Sequence, residues 1–569
     1  MKIPSDPVLR QTFFDDVERV CFASRQERIA FYLKMRQVYL LGIDDVTTTE
    51  SEKYRKIFAH IDAVKSFLYA QETTKFAIQL GASAEPIHSK RSDRMLQILQ
   101  DDWHDTDTDL IFGEAVRWSL VYGAMIGKSD WRRNCPNLKL IEPHHFGVYR
   151  EDVMSIHEQE AMGHKFQMTV SEATARLASH PMAKEILSRA TLCPRVRSTE
   201  ESGQSNIVVS QVNPIVGNVN IDLSQGNKYL PIVPQDFYEG TELWIYDDEI
   251  AGFRVVTMLD PGVLVYDRPA HDKSTDKRMY MDGEHPFTPI RPRPMHNYFF
   301  GQSEVEMLLS MQKKYNEEIE RTEKRLRRAA NPPKSAIGFT FDSNELADAW
   351  DLKGGIVTSD TPGSSMTIHE TEQPTNVGEW RHELDQMFDE LSGLPPAMRG
   401  LGTPGVRSDV HNRSVVQVGG SRVKNRALLI EDSLDDLATK LVNLRRMFDK
   451  KNYVDKDGEH FLCAQFTEDF TAKVDAHSNS PVFVEDQKDV ADRAFKAKAI
   501  TRERYLEMIG APNLPVLKQE LRDIIEPGEA RAAQAREQQE NAKLLMQAGK
   551  GGGDPSKVSA LLRTARSTG

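Results

Sequence analysis

The chain is 569 residues long, too long for one hydrophobic core, and its length implies roughly three or four domains. A hydrophobic content of 39% with 28% charged residues fits a chain that folds in water. The formal net charge of −12 argues against a protein that clamps nucleic acid on a broad basic face, so any DNA contact should be local or transient.

The cysteines, Cys21, Cys135, Cys193 and Cys463, are far apart and form no CxxC pair, which speaks against a zinc site or a disulfide framework and fits a reducing cytosol. No run approaches the roughly eighteen apolar residues of a membrane span, and the opening MKIPSDPVLRQTFFDDVERV mixes acids and bases. Neither a cleaved signal nor a membrane-spanning segment is expected.

To about residue 130 the chain reads as helical. DDVERVCFASRQERIAFYLKMRQVYLLG and DTDLIFGEAVRWSLVYGAMIG both carry apolar residues at helical spacing, with Asp107 or Thr108 placed to cap the second. From NLKLIEPHHFGVYRED onward the runs shorten between Pro, Gly and Asp. Residues Tyr229 to Tyr280 are strand-like, as in ELWIYDDEIAGFRVVTMLDPGVLVY. A mixed domain of helix and sheet is expected over the first 300 residues.

Next comes a rod. In FFGQSEVEMLLSMQKKYNEEIERTEKRLRRAANPPK, Val305, Leu308, Tyr315, Ile319 and Leu326 fall on a 3,4 repeat that Gln312 and Thr322 complete. The spacing predicts a helix about 42 Å long whose single narrow stripe faces a neighbour along its whole length. Glu317 with Arg321, Glu320 with Lys324, and Glu323 with Arg327 are four apart in the favourable order. Its basic end, Arg321, Lys324, Arg325, Arg327 and Arg328, has two readings of equal weight: cations that complement the helix dipole, or a surface that touches DNA or a partner. The prolines after Asn331 stop the helix.

Some forty residues of short strands and turns follow, with one helical turn expected around Leu346. This insert is too small for its own core and should pair with or lean on other chains. A second rod repeats the spacing with Val377, Trp380, Leu384, Met387 and Leu391 and ends at Gly393 and Pro395. The loop LPPAMRGLGTPGVRSDVHN carries Arg399, Arg407 and His411 against one acid, Asp409. From Asp409 to about Lys450 no proline interrupts a helical repeat of Val423, Ala427, Ile430, Leu434, Leu437, Leu441, Leu444 and Phe448, with a possible bend at Gly419 and Gly420. VDKDGEH reads as a hairpin turn, and the polar, helical tail fades into GGGDPSK and a disordered end.

Motifs for chemistry are weak. YGAMIGKSD lacks one residue of phosphate-loop spacing and follows a helix, so a helix C-cap is preferred. VDKDGEHF has its glycine two residues too early for a calcium loop. His144 and His145 in EPHHF cannot share one face of a strand, so a metal pair there is disfavoured. No HExxH, GxSxG or recognisable triad appears, which lowers the prior for an enzyme without excluding one.

The order of parts from Asn137 to Pro512 resembles the portal proteins of tailed bacteriophages. It is carried by HPFTPIRPRPMHNYFFGQSEVEMLLSMQKKYNEEIERTEKRLRRAANPPKSAIG, the strand insert, NVGEWRHELDQMFDELSGLPPAMRG, the Gly and Pro loop, the long helix and AKAITRERYLEMIGAP. The resemblance implies an α+β, predominantly helical portal fold assembled as a ring, usually of about twelve copies. Residues 1–300 and 413–495 would form the wing, 301–330 and 376–393 the stem helices, 331–375 the clip, 394–412 the tunnel loop, 496–548 the crown and 549–569 a disordered tail.

It implies stem packing through Val305, Leu308, Tyr315, Ile319, Leu326, Trp380 and Leu384, and DNA contact through Arg399, Arg407, His411, Lys313 and Lys324. Clip contacts with terminase or adaptor would fall to Arg327, Arg328, Lys334, Trp350 and Lys353. It further implies a conduit for packaging and ejecting double-stranded DNA at one capsid vertex, partnered by the terminase large subunit, major capsid and scaffolding proteins, and tail or adaptor proteins. No catalytic residue, cofactor, metal or membrane is called for, and the protein would sit in the virion after assembly in the host cytoplasm. The competing reading is a cytosolic nucleic-acid-processing enzyme whose site escapes motif search; a shorter type of head-to-tail connector is a third.

Overall fold

The computed structural model describes residues 1–42, 55–70, 74–80, 86–178, 180–193, 236–272, 284–330, 334–337, 362–368, 377–393, 421–454, 460–466, 470–474 and 491–502, with a few isolated residues besides. The chain divides into two compact units, Met1–Val482 and Phe483–Gly569. Helix and antiparallel sheet are mixed, with helix predominating.

The first expected helical stretch is two helices, α1 (Pro7–Cys21) and α2 (Arg25–Leu41). Asp6 starts α1 by accepting the amides of Val8 and Leu9 at 2.9 and 3.1 Å. Phe22 to Ser24 interrupt the run, and Gly42, at φ 72°, closes α2. Helices α3 (Lys56–Leu68), α4 (Pro86–Asp105) and α5 (Thr108–Tyr122) follow. The inner face of α5 packs into an aromatic cluster in which Phe112 meets Tyr69 at 5.1 Å and Trp103 at 5.9 Å, while Leu110 faces outward. Asp107 occupies the N-cap position of α5 but makes no side-chain capping bond.

A short strand in this region, β1 (Phe76–Leu80), departs from the all-helical expectation. Beyond it come β2 (Met125–Arg132), β3 (Cys135–Ile141), β4 (Phe146–Val148), β5 (Ala161–Thr169), β6 (Phe237–Asp247), β7 (Gly252–Leu259), β8 (Val263–Pro269) and β9 (Phe287–Ile290). Strands β8-β7-β6-β5-β4 form one antiparallel sheet, and β9-β2-β3 form another. Alternation divides the faces of β6. Leu243 and Ile245 join Phe14, Val17 and Cys21 of α1 in one core, while Glu242 and Trp244 face a cavity on the other side. Helices α6 (Val170–Leu177) and α7 (Ala183–Arg189) pack Ala173, Leu177 and Ile186 against Met168, Tyr238 and Leu259. The capping box of Thr169 and Glu172 turns β5 into α6.

Helices α8 (Glu304–Ala330), α9 (Val377–Ser392) and α10 (Ser421–Phe448) follow, with β10 (Lys334–Ile337) and β11 (Ser365–Ile368) between the first two. Every α10 position named from the sequence repeat is buried except Phe448, which is half-buried and stacks on Trp131 at 5.8 Å. Residues 409–420, over which that helix was expected to begin, lie outside the described residues. Lys440 of α10 is enclosed and donates to the Phe287 carbonyl at 2.7 Å, Thr288 Oγ1 at 3.0 Å and Asp436 at 2.7 Å. The first two bonds fasten α10 to β9. Strands β12 (Asn452–Val454) and β13 (His460–Leu462) pair as the expected hairpin, and β14 (Phe470–Val474) returns to pair with β1 from Phe76↔Val474 to Leu80↔Phe470.

Two glycines fix the root of α8. Gly123 ends α5 at φ 95°, its amide donating to the Ser119 carbonyl at 2.8 Å, which is the C-cap expected of YGAMIGKSD. Gly301 has φ 71°, and a Cβ on it would lie 2.6 Å from the Arg293 carbonyl oxygen and 2.9 Å from that of Gly123. Gly301→Ala is therefore expected to lower stability by at least about 1–2 kcal/mol from the left-handed backbone alone. A chemical-denaturation midpoint equal to that of the parent chain would contradict this.

In the second unit, the ring of Phe495 stacks on Tyr505 at 4.6 Å, and the Tyr505 hydroxyl donates to Asp492 at 2.7 Å.

Candidate ring-packing and conduit elements

The stripe on α8 is buried at its root and opens outward. Val305 and Leu308 are fully buried, Gln312 and Tyr315 nearly so, and Ile319 is half-buried, whereas Leu326 is 59% exposed. The expectation of a neighbouring chain along the whole stripe is thereby corrected: α2, α3, α5 and α9 of the same chain cover its first half. Even the polar member of the stripe is satisfied there. Gln312 accepts the Ile57 amide at 3.2 Å and donates to Asn316 at 2.9 Å, and Asn316 donates to the Gly42 carbonyl at 2.7 Å.

The root is organised around Glu304, the first residue of α8, which is 1% exposed. Its carboxylate lies 3.1 Å from His60 Nε2 of α3 and accepts from Arg293 Nε at 2.8 Å and from Arg426 of α10. Burial alone would raise its pKa. The His60 bond and the Arg293 charge outweigh burial and hold the carboxyl below its ordinary range. The N-terminal end of the helix dipole also favours a negative charge at this position. One buried carboxylate thus joins α3, α8, α10 and the segment before α8.

Helix α9 is held to this base by Lys56. The ammonium pairs with Asp385 and sits 4.5 Å above the Tyr315 ring and 4.8 Å from that of Phe388. Leu384 and Phe388 point inward, both 1% exposed. Trp380 at 43%, Met387 at 41% and Leu391 at 46% lie along one edge of the same apolar face and are left uncovered. The sequence repeat named Leu384 but missed Phe388, four residues on, because 384 and 388 belong to the inner side of a face wider than one stripe. His60, Glu304, Arg293 and Arg426 gave no signal, since their partners are far apart in the chain.

The outer half of α8 carries cations that are locally neutralised. Arg321 lies 3.4 Å from Glu317, Lys324 2.6 Å from Glu320, and Arg325 3.9 Å from Glu318. For these three the geometry favours a solvated, self-paired face over a strong DNA-binding one. Lys313 is exposed on the same helix. Arg399, Arg407 and His411, the other residues expected to touch DNA with Lys313 and Lys324, lie outside the described residues. So do Trp350, Lys353 and the turn expected around Leu346; the side chains of Arg327, Arg328 and Lys334 are likewise not described.

Between α8 and α9, β10 and β11 pair antiparallel within the chain, from Lys334↔Ile368 to Ile337↔Ser365. The insert therefore pairs with itself over these strands, where pairing with other chains was one of the two expectations. Ile337 is 65% exposed.

The two histidines also need correction. They occupy a 3₁₀ turn, Pro143–His145, and not a strand, so their rings meet at a centroid distance of 4.3 Å. Glu142 joins them, its carboxylate 3.2 Å from His144 Nε2, and the three offer ligand atoms within 4.8 Å of one another. Burial, then His145 and the charges of Arg25, Arg28 and Arg36, push the His144 pKa well below its ordinary value; burial and Arg25 lower His145 to about 3. The imidazoles are thus neutral, as metal ligands must be, but the surrounding arginines oppose a bound cation.

Among the described residues, no helix is long and apolar enough to cross a membrane. No protein-family model and no curated protein matches the chain. Among solved structures it is similar to one described as "Neck of empty GTA particle computed with C6 symmetry", at 9% identity and a TM-score of 0.40 over 84% of this chain and 93% of that one, a likeness too slight to bear on function.

Proposed function

We propose that the chain is a portal-type subunit that assembles, in about twelve copies, into a ring at one vertex of a tailed-phage-like capsid. The observation that carries this reading is the pair α8 and α9, rooted in the body by Glu304 and Lys56, with the mutually paired strands β10 and β11 between them in the chain and Trp380, Met387, Leu391 and Leu326 uncovered. A monomer gains nothing from such an edge, and copies arranged around an axis cover it repeatedly. The ring would be a passage for DNA during packaging and ejection. It would have no catalysis of its own, and a separate terminase ATPase would dock at the paired strands β10 and β11. Capsid, scaffolding and tail or adaptor proteins would be its other partners.

The negative balance of the chain suits a passage through which phosphate must slide, because continuous cation contact would retard it. Light scattering and negative-stain imaging of the purified chain test the proposal. A ring of about twelve copies with a central hole is expected. A stable monomer or dimer would overturn the reading and return attention to an enzyme.

A further inference from the structure

A second site lies in the body of the first unit, in the cavity faced by Glu242 and Trp244. It has a volume of about 730 Å³, within the range of sites that enclose small ligands, and opens between β2–β3, the outer face of β5–β8 and helix α6. Among the described residues five cations line it, Lys128, Arg132, Lys139, Arg176 and Arg268, against three acids.

All three acids are already engaged. Glu242 accepts from Lys128 at 2.6 Å and from Trp244 Nε1 at 2.8 Å. Glu172 accepts the Thr169 amide in the capping box, and Asp130 accepts the Trp131 amide at 2.8 Å and lies 3.6 Å from Arg132. Among the described residues, Lys139, Arg176 and Arg268 have no carboxylate within 4.0 Å. They approach from three separate elements, β3, α6 and β8.

The wall adds a buried polar atom without a partner. His164 is 3% exposed, and among the described residues its Nδ1 makes no hydrogen bond. Buried polar atoms are nearly always paired, so one lining a cavity marks a place for a ligand atom or water. Burial, then the neighbouring charges of Lys128, Arg132 and Arg176, also lower the Lys139 pKa, a repulsion that an anion among them would relieve.

We propose that this cavity binds a small polyphosphate, its oxygens shared among Lys139, Arg176 and Arg268 with the His164 imidazole as a neutral partner. Cations converging from three directions match an anion with oxygens spread around several phosphorus centres better than one planar carboxylate. The inference is independent of ring formation.

The test is a titration of the full-length protein with sodium tripolyphosphate, read by tryptophan emission because Trp131 and Trp244 line the site. A saturable change with half-effect below about 1 mM is expected, weakened at least about tenfold in an Arg176→Ala/Arg268→Ala variant. Both arginines are exposed, so the variant should keep the parent's circular dichroism. Arg19→Ala, on the surface of α1 and away from the cavity, should bind like the parent. No saturation, or equal binding by the double variant, would overturn the proposal. So would binding of a short oligonucleotide or polyglutamate where tripolyphosphate fails, which would assign the cavity to a nucleic-acid strand or an acidic protein segment.

Discussion

Replacing Glu304 by alanine is expected to destabilise the first unit by about 3–5 kcal/mol, the usual cost of removing one partner from a buried ionic cluster. Arg426, 4% exposed, would lose its carboxylate and keep only a long contact of 3.5 Å to the Ser392 carbonyl. His60 would lose its partner at 3.1 Å, and Arg293 its bond at 2.8 Å. Glu304→Gln retains an acceptor without the charge and should fall between alanine and the parent. Chemical-denaturation midpoints measure the effect; a loss below about 1 kcal/mol for the alanine variant would show that the cluster contributes no more than an exposed pair. The pH dependence follows from the same site. The folded pKa of Glu304 lies below its unfolded value of about 4.3, so its contribution is complete above that pH and is lost as pH falls through the folded pKa. The alanine variant should show less acid sensitivity than the parent between about pH 4.3 and lower values.

The second large effect concerns assembly. Trp380→Glu combined with Met387→Glu is expected to reduce the proposed ring to free subunits while leaving the subunit folded. Both side chains are more than 40% exposed in the chain alone, so their loss removes little of its own core. At a subunit contact, a buried tryptophan commonly accounts for 2 kcal/mol or more, roughly a thirtyfold weakening at each junction. A ring repeats that loss at every junction, and the introduced carboxylates add repulsion. Light scattering with circular dichroism separates the outcomes. An intact ring would remove α9 from the interface, and a misfolded subunit would show that this edge is covered within the chain.

Much of this arrangement was legible in the sequence because helices announce themselves by period. The 3,4 spacing gave α8, α9 and the described part of α10, and the turn residues gave the β12–β13 hairpin. Period does not say whose surface covers a stripe. Val305 to Tyr315 read as a contact with another chain and are covered by this one. Five residues of β1 carry too little alternation to stand out, and its partner β14 is distant. EPHHF reads as strand until Pro143 is seen to start a 3₁₀ turn. The polyphosphate cavity was invisible for a related reason: its cations are single residues on separate elements, and only folding makes them a group.

The pairing of β1 with β14 bears on how the protein is made. Phe76 and Val474 are about 400 positions apart, so at about 5–20 residues per second the ribosome delivers the second strand roughly 20–80 seconds after the first. During that interval Phe76 to Leu80 present unsatisfied edge amides and carbonyls beside a half-built core, the condition that invites aggregation. A nascent chain therefore exposes this edge until β14 has been made, and termination before β14 should yield less soluble product even though every residue of α1 to α10 has been made.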